Sequence, residues 1–252
     1  MTLHEIGFKM SSGDVKAIPS AIQLYRDQYF DYIELYINLN TYYQNISKWK
    51  DCNIPYIIHG PHNLDNINLG QKEKRNNNLK AYEEVKKYAD TLKSEIIIVH
   101  SGHNGDINES ISQINKINDS RICIENKPKK GLTTEICIGH SFEEIQLIIN
   151  SIGNIGFVLD IGHAVYASNS HGIYWEEEIE AFMKFNPMIY HFNDGDISSE
   201  KDVHLNLGKG SFDLQAMFNK IKKGSKISLE TPRKNGIEDF ILDVEYIRRL
   251  SE

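Results

Sequence analysis

Glu95-Ile-Ile-Ile-Val-His100 and Arg121-Ile-Cys-Ile-Glu125 flank a stretch, Ile107–Ile117, in which Ile107, Ile111, Ile114 and Ile117 recur at helical spacing. Each flanking run is short, rich in β-branched residues and bounded by polar ones, as expected of a strand covered on both faces. Strand, amphipathic helix, strand reads as a parallel βαβ unit. Both runs also end in a side chain that can bind a metal, His100 and Glu125.

The same pattern extends in both directions. Tyr56-Ile-Ile-His59, Gly156-Phe-Val-Leu-Asp160, Met188-Ile-Tyr-His191 and Lys226-Ile-Ser-Leu-Glu230 are further apolar runs that close on a ligand residue. Strands are expected near 4–9, 32–37, 55–59, 95–100, 121–125, 155–160, 188–192 and 226–230. Helical periodicity is clearest from Gln71 to Leu92 and also covers 17–29, 107–117, 142–149, 175–185, 213–221 and 237–250. Asp106 and Asp213 stand where N-caps belong. Eight alternating units predict an α/β fold closed as a (β/α)8 TIM barrel, one domain over 1–252, with its site on the C-terminal face. A doubly wound open sheet is the alternative, but no GxGxxG phosphate loop follows the first strand.

The 252 residues are 40% hydrophobic and 25% charged, an ordinary globular balance. No run approaches the roughly 18–20 apolar residues of a membrane span. The N-terminus has no charged segment followed by an apolar core, so no signal peptide is expected. Cys52, Cys123 and Cys137 are widely spaced and cannot build a disulfide framework, which fits a reducing cytoplasmic location. The net charge of −7 opposes a nucleic-acid partner at first sight. Two features offset it: bound dications would neutralise the ligand carboxylates, and Lys127, Lys129, Lys130, Lys201, Lys209, Arg233 and Lys234 follow strand ends and would ring the same face. Ordinary loop polarity explains those cations equally well.

With Asp202, His163 and His204, nine ligand-type residues gather in this pattern: His59, His100, Glu125, Asp160, His163, His191, Asp202, His204 and Glu230. Any one alone reads as a satisfied polar residue or a helix cap. On a barrel they converge, and carboxylates packed together need cations. Mixed imidazole and carboxylate suits zinc, manganese or iron and is too rich in nitrogen for magnesium or calcium. Nine ligands hold three ions if one carboxylate bridges. Two ions about 3.5–4 Å apart clamp an in-line displacement at phosphorus.

Several local motifs resemble the endonuclease IV type of apurinic/apyrimidinic endonuclease. They are Glu125-Asn126, Asp160-Ile-Gly-His163-Ala, His191-Phe-Asn193-Asp194, Asp202-Val-His204 with Gly208-Lys-Gly210, and Leu229-Glu230-Thr231. His59 with the downstream Asn68-Leu69-Gly70, and Val99-His100, match the two earlier histidines. The resemblance spans nearly the whole chain. It implies a first zinc on His59, His100 and Glu125. Glu125 would bridge to a second, completed by Asp160, His191 and Glu230, and a third would sit on His163, Asp202 and His204. Catalysis would centre on Glu125 and Glu230 and cut damaged double-stranded DNA 5′ to an abasic site, with no protein nucleophile. His62, Asn63 and Leu64 would wedge the minor groove, with Lys129, Lys130, Lys209 and Arg233 on the backbone. The loop after the second strand, Asn38–Tyr43, lacks the arginine this family leads one to expect.

Two other classes stay open. A sugar isomerase or epimerase related to xylose isomerase would use Glu125, Asp160, His191 and Glu230 for one divalent metal, with two carboxylates shuttling a proton. A metal-containing DNA-damage binding protein would need the same ligands and no turnover. Asn126, Asn193 and Asp194 are candidates for orienting ligands. His62 and His103 read as loop residues, and His140 and His171 carry no expected catalytic role. No obligatory protein partner is evident.

Overall fold

The computed structural model describes residues 4–251; the first residues read for a signal peptide lie outside that range. Eight parallel strands, β1 (Glu5–Ser11), β2 (Tyr32–Tyr36), β3 (Tyr56–His59), β4 (Ile97–His100), β5 (Ile122–Glu125), β6 (Gly156–Asp160), β7 (Ile189–Phe192) and β8 (Lys226–Leu229), close in sequence order. The ring is sealed where Phe8 pairs with Leu229. The expected barrel is present. Helices α1 (Ile18–Arg26), α2 (Tyr42–Asp51), α3 (Arg75–Leu92), α4 (Ile107–Ile117), α5 (Phe142–Ile152), α6 (Ile161–His171), α7 (Trp175–Met183), α8 (Leu214–Lys220) and α9 (Ile237–Leu250) accompany the strands.

Strand alternation sorts the side chains. Tyr32, Ile57, Ile96, Ile98, Cys123, Val158 and Ile189 form a cluster separate from the main core. Their odd or even position in each strand matches that of the ligand residues, so they plug the barrel beneath the site. Two residues further along the same strands, on the same inward face, come Glu34, His59, His100, Glu125, Asp160 and His191. The Tyr32 ring crosses the lower barrel so closely that a Cβ on Gly7 would lie 2.5 Å from it, and its hydroxyl meets Ser228 Oγ at 3.0 Å. Each large aliphatic side chain in this plug contributes roughly 1.5–3 kcal/mol by leaving water. That apolar floor offsets the cost of the buried charges above it.

Two helices escape the sequence periodicity: α2, in which Asn45 and Trp49 are the buried residues, and α6. Helix α6 starts directly at Asp160 and buries Ile161 through Ser168 without interruption, so it has no polar face to generate an amphipathic period. It matters because it carries His163. Asp106 and Asp213 do cap their helices, accepting from Asn108 N and Ala216 N. Helix α5 runs on to Ile152, three residues past its expected end.

Candidate metal centre

All nine ligand-type residues reach the barrel mouth. His59, His100 and Glu125 offer ligand atoms within 4.8 Å of one another, as do Glu125, Asp160 and His191, and likewise His163, Asp202 and His204. Glu230 groups with His191 and with a residue the sequence did not single out, Glu34. Glu125 stands at the centre: its Oε2 is 3.0 Å from His100 Nε2 and 3.5 Å from His59 Nε2. Its Oε1 is 3.1 Å from His163 Nδ1.

Four of the five imidazoles have one ring nitrogen tied down. His59 Nδ1 donates to the Gly60 carbonyl at 2.9 Å, His163 Nδ1 to the Asn126 carbonyl at 2.9 Å, and His204 Nδ1 to the Glu230 carbonyl at 2.7 Å. His191 does the same through its other nitrogen, Nε2 to Glu34 Oε2 at 3.0 Å. With the outward nitrogen protonated, the inward nitrogen presents a lone pair to the carboxylates. This is how protein imidazoles are held for metals. The carboxylates are also left with spare capacity. Asp160 caps α6 with Oδ1, whereas its Oδ2 is buried without a hydrogen-bond partner, and Asp202 Oδ1 faces His204 Nε2 at 2.8 Å as Glu230 Oε1 faces His191 Nδ1 at 2.8 Å. The residues fit divalent cations.

Five carboxylates, Glu34, Glu125, Asp160, Asp202 and Glu230, face this small volume. Burial raises Asp160, and the neighbouring Glu230 and Glu125 add to the rise against His163. Burial would lower His163, but Asp160 and Asp202 overcome it and lift the imidazole to about 10. His191 is raised in the same way by Glu34, Glu230 and Glu125. The site therefore demands positive charge, which protons and metal cations compete to supply.

Two lysines answer part of that demand, and their placement differs from expectation. Lys9 projects inward from β1 and donates to Glu230, with Glu34 Oε1 at 3.4 Å. Lys127 does not stand on the rim: its ammonium lies 3.4 Å from Glu125 Oε1 and 3.3 Å from His163 Nε2. Glu34 is fully buried. Burial opposes its ionisation, yet His191 and Lys9 bring it down to about 2. Lys9 and Glu34 sit mid-strand in Phe8-Lys-Met10 and Ile33-Glu-Leu35; the one available signal was a charge inside an apolar run.

The supporting residues pin the loops. Asn126 exchanges hydrogen bonds with the Asp160 backbone, donating at 2.9 Å and accepting at 2.8 Å. Asp194 accepts from Gly195, Gly210 and Phe212 backbone amides and so closes the loop that bears Asp202 and His204. Gly210 is required there, because a Cβ would lie 2.3 Å from the Gly195 carbonyl oxygen.

A cavity of 270 Å³ opens above the ligands, walled by His62, Asn63 and Leu64 on one side and Gly131 and Leu132 on another. The His62 ring stacks on His100 at 4.9 Å and is half-buried. Leu64 and Leu132 are 81% and 61% exposed, so both present bare apolar tips to solvent at the cavity edge. Arg233 lines an adjoining cavity with His204 and Glu230 and lies over Phe8. Lys209 is exposed, Lys130 pairs with Glu200, and Lys129 lines a different groove altogether.

Residues 22–250 match the family described as the xylose isomerase-like TIM barrel. The chain belongs to that family. Within it, the chain is 24% identical over 251 residues to the uncharacterized protein MJ1614 of Methanocaldococcus jannaschii, covering 93% of this chain and 94% of that protein. It is 24% identical over 232 residues to a probable endonuclease 4 of Mycoplasma capricolum, covering 83% and 79%. A probable endonuclease 4 of Thermosipho melanesiensis is 29% identical over 160 residues, 55% of this chain and 54% of that one. Two solved structures share the barrel to a similar degree. Endonuclease IV from Thermus thermophilus superposes with a TM-score of 0.76 at 20% identity, covering 98% of each chain. A D-tagatose 3-epimerase-like protein gives 0.75 at 21%, covering 97% of this chain and 96% of that one. Those likenesses establish the barrel and leave the chemistry to the site.

Proposed function

We propose that this protein is a metal-dependent phosphodiesterase of the endonuclease IV type, which hydrolyses damaged DNA 5′ to abasic sites as a repair step. One observation carries the reading. His59, His100, His163, Asp202 and His204 join the four ligands an isomerase needs, and His59, His163 and His204 each have the outer nitrogen tied to a backbone carbonyl. A single-metal isomerase has no use for them. On this reading the mouth would hold three zinc ions, with manganese or iron as substitutes, and Glu125, common to two of the ligand groups, would serve both.

When bound, such ions supply Lewis acidity toward a phosphodiester and make water nucleophilic near neutral pH. This chain's residues hold and orient. Glu125 draws His59, His100 and His163 around one carboxylate, and Glu34 fixes the His191 ring. Lys127 stands 3.4 Å from Glu125 Oε1, where it offsets negative charge brought by a phosphate. Leu64 and Leu132, exposed at the cavity edge, would press between unstacked bases. Binding to DNA would draw on Arg233, Lys209 and the His62-Asn63-Leu64 wall, in a reducing cytoplasm.

A specific observation favours an epimerase as the second reading. Lys9 adds a proton donor to the wall of a cavity of 270 Å³, suited to one sugar, with Glu34 buried behind it. Incision of an abasic-site duplex by the metal-loaded protein, lost on chelation, decides between them. Glu125→Gln should lower that turnover by several orders of magnitude with the fold intact. Absence of nicking together with epimerisation of ketohexoses would establish the second reading. Duplex binding without nicking would leave a damage-binding protein.

A further inference from the structure

Away from the barrel mouth, the residue before the α5 N-cap and the last residue of α6 meet. His140 Nδ1 and His171 Nε2 face each other at 3.0 Å. Each ring turns its other nitrogen to a carboxylate: His140 Nε2 lies 3.6 Å from Glu144 Oε1, and His171 Nδ1 lies 3.6 Å from Glu178 Oε1. Glu144 is fixed, because its second oxygen accepts from the Gly139 and His140 amides. Glu178 is 4% exposed, and its Oε1 has no hydrogen-bond partner.

Two neutral imidazoles carry two N–H groups between them, and these three contacts need three. Either one lone pair faces a carboxylate, or both outer nitrogens are protonated and the two inner lone pairs face each other at 3.0 Å. A single added cation between the inner nitrogens resolves the conflict. Both rings then point N–H at Glu144 and Glu178, the carboxylate–imidazole–metal arrangement that orients and strengthens a ligand. Opening the contact from 3.0 Å to roughly 3.3 Å accommodates two metal–nitrogen bonds of about 2.0–2.1 Å at a tetrahedral angle. The shallow groove around the pair is lined by Glu143, Glu177 and Glu178 as well as Lys129 and Lys184. With Glu144, four carboxylates surround the pair against two ammoniums, although burial pushes the Glu178 carboxyl up to about 7.

We propose that His140 and His171, oriented by Glu144 and Glu178, form a binding site for one divalent late-transition cation of the zinc class, separate from the barrel mouth. Two imidazoles leave positions for water, so the site is open and exchangeable. The test compares zinc content after equilibrium dialysis of chelator-stripped full-length protein, wild type against a His140→Ala/His171→Ala variant. The variant is expected to hold one equivalent less, with an unchanged melting temperature after stripping. Cobalt gives an independent readout on wild type and on His171→Asn: the wild-type visible absorption should lose one equivalent's intensity in the single variant, which covers a double variant that does not fold. Equal zinc content in wild type and double variant overturns the proposal, and the pair then holds a proton alone. Glu125→Gln keeps the outer equivalent, so a failure of the mouth assignment stays distinguishable from a failure of this one.

Discussion

At the residue scale, the direction in which each imidazole points matters more than how many there are. Glu34 is the clearest case: it is buried, ionised and bonded to the outer nitrogen of His191. Removing its charge with Glu34→Gln should leave the barrel folded and weaken metal binding by about ten- to a hundredfold, the usual cost of losing such a partner. Competition against a chromophoric chelator measures it, and an unchanged affinity would show that His191 needs no orienting. Cys123 gives a second residue-level expectation. Burial pushes its thiol up to about 12, so iodoacetamide at pH 8 should label it only after unfolding. Rapid labelling of Cys123 in the native protein would mean the barrel plug opens.

At the element scale, two periodicities carried most of the reading. The alternation of two along β3 to β7 put His59, His100, Glu125, Asp160 and His191 on one inward face. The helical spacing located α4 and α9 to the residue. Elements without a polar face were opaque, and α6 was missed for that reason. Capping chemistry was legible because it is local. Asp106 accepts from Asn108 N at 2.8 Å, so Asp106→Ala should cost about 1 kcal/mol, read as a lower urea midpoint with unchanged slope. A neutral result would place the stability of α4 wholly in its buried face.

At the scale of the whole molecule, the barrel concentrates five carboxylates over an apolar floor in a chain of net charge −7. Such an assembly should be markedly steadier with cations bound. Zinc at a hundredfold excess over its dissociation constant adds about 2.7 kcal/mol for one site. For a chain of this size that is a rise in melting temperature of roughly 5–10 °C. Calorimetry of chelator-stripped and reloaded protein checks it; coincident melts would mean that the cluster has no resident ion. Among the described residues no helix is long and apolar enough to cross a membrane.

Local patterns were enough to declare the barrel and to nominate six strand-end ligands, since strand alternation and chain order together assign each of them to one face; His163, Asp202 and His204 were legible only through their motifs. Closure of the ring decided the rest. It brought Lys9 and Glu34 of the first two strands against Glu230 and His191 of the last two, across separations in sequence that no periodicity spans. It turned Lys127 inward instead of outward, and it selected which nitrogen of each imidazole faces the cavity. It also set His140 against His171, two histidines unremarkable in the sequence, because contacts between neighbouring helices depend on how the barrel stacks them and not on the residues beside them in the chain.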